Sequence, residues 1–81
     1  MTISDLIEAL EERGPDDAAS SEEIGAVRSV LLRAAEHQPT SDAYVIHVTE
    51  AARLVSDSWP FRSGLGALVL SFSEATRRNA R

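Results

Sequence analysis

The stretch Tyr44-Val45-Ile46-His47-Val48-Thr49 decides the fold, because its β-branched and aromatic residues suit a strand while its wider spacing suits a helix. Extended to Val55, the segment places Tyr44, Val48, Ala51, Ala52, Leu54 and Val55 on one side at 100° per residue. Asp42, Thr49, Glu50, Arg53, Ser56 and Asp57 fall on the other. A lone strand would also lack a pairing partner. The stretch therefore reads as part of a helix over about 42–57, capped by Thr40 or Ser41 with Asp42 in its first turn.

The flanking segments agree with that reading. Upstream, Ile24, Val27, Leu31 and Ala34 repeat the helical spacing after Ser20 and Glu23, which spell a capping box, and Pro39 ends a helix over about 21–37. Further upstream, Ile3, Leu6, Ile7 and Leu10 form a face over about 3–13, with Thr2 and Asp5 as cap and Gly14-Pro15 as stop. Downstream, Pro60 suits a first helical position and Ser58 a cap, so Phe61, Leu65, Leu68, Phe72 and Ala75 predict a core stripe over about 60–78. Gly64 and Gly66 weaken that helix and imply close packing against a neighbouring backbone. Trp59 is expected to plug one end of the core. The fold class expected is all-α: one domain over residues 1–81, either a small four-helix bundle or a compact orthogonal four-helix domain.

Charge and composition narrow the function. The chain has 81 residues, no cysteine, thirteen acidic and eight basic residues, for a net charge of −5. A surplus of acid disfavours general nucleic-acid binding, in which affinity rests on neutralised phosphates, so no nucleic-acid partner is expected. Without cysteine there is neither a disulfide framework nor a thiolate site. The longest strongly apolar stretch, Leu65 to Leu70, is far below the ~20 residues that span a bilayer, and the first residues carry no secretion signal. A cytoplasmic protein without a membrane association is the expectation.

A search for chemistry gives little. His47 and Glu50 stand three apart, the spacing of a metal or acid–base pair, but a structural zinc site needs four ligands and this chain has two histidines. The serines lie in no nucleophile-elbow pattern, and Gly64-Leu65-Gly66 lacks the preceding strand and lysine of a phosphate-cradling loop. No catalytic residue, metal or cofactor is expected, and the chain reads as a non-enzyme.

The strongest feature is the distribution of charge. From Met1 to Glu23 eight acidic residues face only Arg13, leaving this stretch at −7 and the rest slightly positive. Asp5, Glu8 and Glu12 share the outer face of the first helix, with Glu11 at its edge and Arg13 as the nearby opposite charge. Such a face is either merely solvated or awaits a basic surface. Helical wheels also strand three apolar residues: Ile46 on a polar face, Leu32 at the edge of one, and Leu70 opposite its helix's stripe, which suits a central helix or one shared with a second chain. Together these predict a protein-interaction module, an adaptor or small inhibitor, that meets a basic protein through Asp5, Glu8, Glu11 and Glu12 and uses Leu32, Ile46 and Leu70 as apolar contacts. A self-assembling subunit, or homo-oligomer, is the alternative; an acidic nucleic-acid mimic or antitoxin is another, by analogy of class.

Overall fold

A computed structural model describes residues 1–79 of the chain. Four helices follow one another: α1 (Ile3–Arg13), α2 (Ser21–Ala35), α3 (Asp42–Ser58) and α4 (Gly64–Asn79), with a 3₁₀ turn at Gly14–Asp16. α1 packs on α2 and α4, and α3 packs on the same two, which puts α1 and α3 across a diagonal of a four-helix bundle. Tyr44 through Thr49 is helical, with Tyr44, Val48, Ala51 and Val55 buried and Ile46 outside. Tertiary burial of one face thus overrides the β-propensity of the individual residues.

The caps are local chemistry. Thr2 and Asp5 form a reciprocal capping box at α1, and Ser20 and Glu23 form another at α2. Ser41, rather than Thr40, caps α3 by accepting from the Tyr44 N–H at 3.2 Å. Leu6, Leu10, Val27, Leu31, Ala34, Leu65 and Val69 are almost fully buried and join α1, α2 and α4 to the α3 face in one core.

Two expectations for this region fail. α2 ends at Ala35, two residues early, because Glu36 and His37 close its last turn with tighter bonds to Arg33 and Ala34. More consequentially, α4 starts at Gly64, not Pro60, and Ser58 belongs to the end of α3. Residues 59–63 instead form a corner, held where the Trp59 N–H reaches the Val55 carbonyl and the Ser63 N–H reaches Pro60. The cap of α4 is Ser63, whose Oγ accepts from the Gly66 N–H at 2.9 Å. The stripe turns accordingly. Leu65 and Phe72 are buried as expected, but Val69 and Ser73 complete the face while Leu68 is half-buried, Ala75 exposed and Phe61 wholly outside.

The two glycines separate. A Cβ on Gly66 would lie 3.2 Å from the Trp59 ring and 3.2 Å from Val55, so the absence of a side chain lets α3 and its tryptophan close on α4. The neighbours are side chains, not the backbone expected. Gly64 has only Asp17 within reach, at 3.9 Å, and imposes no close approach.

Candidate interaction surfaces

The four acidic residues of α1 are exposed, but the structure divides them by role. Asp5 belongs to the cap: it accepts the Thr2 N–H at 3.0 Å, and the hydrogen bonds from Thr2 hold its carboxyl below the ordinary range. Glu11 is paired with Arg28 of α2, at 2.6 Å, which corrects the expectation that Arg13 is the nearby opposite charge. A contact this exposed contributes under about 1 kcal/mol, yet it removes Glu11 from the unpaired set. Glu8 and Glu12 remain. They stand one turn apart, and among the described residues no basic side chain pairs with either. A hydrogen bond with Glu12, then repulsion from it, holds the Glu8 carboxyl above its ordinary value. The like-charge contact read from the sequence is therefore strongest between Glu8 and Glu12, and Asp5 and Glu11 add smaller repulsion although each has a partner of its own.

The three stranded apolar residues are all on the surface: Leu32 is 41% exposed, Ile46 61% and Leu70 40%. That exposure rules out α4 as a central helix with Leu70 inside it. No two of them line the same cavity among those described. Ile46 lies on α3 beside Val45, Thr49, Glu50 and Arg53, over a shallow depression with no residue of another helix in its wall. Leu32 lines none of the described cavities. Leu70 stands in a cleft of about 240 Å³ between α3 and α4, lined with it by Val55, Trp59, Gly66 and Ala67. Pro60 and Phe61, on the corner, belong to the same lining.

Phe61 is the residue that sequence reasoning misplaced. Assigned to a helical core stripe, it is instead 110% exposed, on the corner between α3 and α4. The signal for this was present in Ser58-Trp59-Pro60: proline disfavours helical geometry at Trp59, so α3 can end there and Pro60 can belong to a turn. Trp59 itself is 8% exposed and closes one end of the core, as its position suggests.

Asp17, in the connection between α1 and α2 and outside every stripe and cap read from the sequence, holds two parts of the chain together. Its carboxylate accepts the Ala19 N–H at 3.0 Å, the Leu65 N–H at 3.1 Å and the hydroxyl of Ser63. Burial pushes this carboxyl up, but the hydrogen bonds from Ser63 and from the backbone of Ala19, Leu65 and Gly64 outweigh burial and hold it below the ordinary Asp value. One anion thus satisfies the α1–α2 connection and the N-terminus of α4, where the helix dipole favours it.

His47 does not bond to Glu50. Its ring stacks on His37, centroids 5.6 Å apart and planes 21° from parallel, and its Nδ1 is buried without a hydrogen-bond partner. Among the described residues no three His, Asp or Glu side chains come close enough to hold a metal ion, and no helix is long and apolar enough to cross a membrane. Comparison with protein families, with curated proteins and with solved structures gives no match for this chain.

Proposed function

We propose that the chain is a non-enzymatic protein-interaction module, an adaptor or small inhibitor, that receives a basic protein surface on the outer face of α1. The observation that supports this reading most directly is the Glu8–Glu12 pair, exposed, one turn apart, unpaired, and close enough to raise the Glu8 carboxyl. A guanidinium or ammonium group placed between these carboxylates would convert a repulsive contact into two charge-assisted hydrogen bonds. Asp5 and Glu11 act at the edges of the same face, adding to its field while engaged with Thr2 and Arg28. The net charge of −7 over residues 1–23 would draw a basic partner toward this end of the molecule.

The test is the double reversal Glu8→Arg/Glu12→Arg. Proteins captured from a lysate by the wild-type chain are identified, and association of the captured partner with both forms is followed at low and high salt. The reading expects a basic partner whose association slows on reversal, most at low salt. A partner that binds both forms at equal rates, with equal salt dependence, overturns it.

A further inference from the structure

We infer that His37 and His47 form a two-imidazole site for a divalent transition-metal ion of the zinc, nickel or copper class, which ties the end of α2 to α3. This inference is independent of the acidic face of α1 and stands or falls separately.

The two rings arrive from separate elements on fixed supports. His47 belongs to the second turn of α3, and His37 stands two residues beyond the end of α2, in the connection that leads to α3. That connection is held by its own hydrogen bonds: the His37 N–H reaches the Ala34 carbonyl at 3.0 Å, and the Ser41 N–H reaches the Gln38 carbonyl at 2.9 Å. Chelation therefore has little backbone left to order, which lowers its entropic cost.

The separation fits one ion. The ring centroids are 5.6 Å apart. Zinc–imidazole bonds are about 2.0–2.1 Å, so two imidazoles on one ion have centroids roughly 5–6 Å apart once the ring radius is added at each end. His37 is exposed, so its ring is free to turn from the near-parallel stack and aim a nitrogen at an ion shared with His47.

A second observation points the same way. The His47 Nδ1 is buried without a hydrogen-bond partner, so no protein group locks the ring into one tautomer, and its other nitrogen can present the lone pair a metal requires. Neither ring is drawn into an ion pair among the described residues. The same orphaned nitrogen sets the strength of the site. Ligating histidines are ordinarily supported by a hydrogen bond at the second nitrogen, and loss of such support costs about 10–100-fold in metal affinity. With no third His, Asp or Glu joining the pair among the described residues, water fills the remaining positions. The site is thus an exchangeable one, open to a further donor. Neutral imidazole selects zinc, nickel and copper, whereas magnesium and calcium prefer oxygen.

The experiment titrates zinc chloride into the full chain while both imidazole rings are followed by NMR; the chain has two histidines, so each ring is read separately. The expected result is that both rings respond together and saturate at one zinc per chain, and that Tm rises with zinc concentration. His37→Ala, at an exposed position, should retain the wild-type circular dichroism, raise the zinc dissociation constant about a hundredfold, the low end of the advantage of joining two ligands, and abolish the rise in Tm. Magnesium chloride should move neither ring. Ring signals that do not saturate by about 1 mM zinc overturn the inference. So does zinc that moves only one ring, a His37→Ala variant that binds as tightly as wild type, or an equal response to magnesium.

Discussion

Removing the Asp17 carboxylate should cost this domain more than any other single change to an ionised residue. Asp17→Ala deletes the acceptor for two backbone N–H groups, at 3.0 and 3.1 Å, and for the Ser63 hydroxyl. Loss of a helix cap costs about 0.5–2 kcal/mol and a hydrogen bond to a charged group about 1.5–3 kcal/mol. These terms overlap rather than add, and water can reach a partly exposed site, so a net loss of about 2–3 kcal/mol follows. For a domain of this size that lowers Tm by about 8–24 °C. Asp17→Asn should fall between wild type and alanine, since one oxygen survives while the amide NH₂ opposes a donor.

The same carboxylate makes the effect pH-dependent, with a definite sign. Its pKa is lower folded than unfolded, so its stabilisation is present above the ordinary value of 3.8 and disappears as pH falls through the folded value. Urea denaturation followed by circular dichroism, at neutral pH and again at acid pH, should show the gap between wild type and Asp17→Ala narrowing toward the acid end. If the two proteins differ by less than about 0.5 kcal/mol at neutral pH, the range of ordinary surface substitutions, the carboxylate does not join the α1–α2 connection to α4 as argued.

Gly25→Ala should stabilise the protein by about 0.5–1 kcal/mol, since Gly25 is inside α2 with nothing within 4 Å of an added Cβ; Gly66→Ala should gain less or destabilise, and should alter Trp59 emission. Equal gains from the two in thermal denaturation would show that Gly66 is not there for packing. Glu12→Gln should bring the Glu8 carboxyl back toward its ordinary titration, read by NMR of the Glu8 side chain, because Glu12 is the main cause of its elevation. Ser73→Ala should stabilise by about 1 kcal/mol in urea unfolding, because the Ser73 Oγ is buried without a hydrogen-bond partner and alanine buries no polar group there; a loss of stability would mean that the hydroxyl has a partner after all.

Much of the architecture was legible in the sequence where local rules and burial point the same way. Thr2 with Asp5 and Ser20 with Glu23 are capping boxes in sequence and in structure, and the apolar face from Tyr44 to Val55 packs as its spacing implies. For α4 two acceptable starts compete: Ser58-Trp59-Pro60 resembles a cap followed by a first-turn proline, while Ser63 offers the same chemistry five residues later. Asp17, through its contact with Ser63, favours the second, and no rule based on neighbouring residues sees a partner 46 residues away. The candidate surfaces were legible only in part for the same reason. Glu8 and Glu12 are neighbours on one helix, so their contact follows from spacing, whereas the Arg28 that occupies Glu11 comes from α2, and the recess beside Phe61 exists only once α3 and α4 have packed.

The acidic face of α1 would act through long-range attraction, which salt weakens, so its contribution is read from how association changes with ionic strength. Glu8→Arg/Glu12→Arg reverses that attraction without touching the contacts by which Asp17 joins the α1–α2 connection to α4. The variant should therefore keep the wild-type circular dichroism and thermal stability while losing the salt-dependent part of partner association. Loss of stability together with binding would mean that the two carboxylates serve the fold and not a partner.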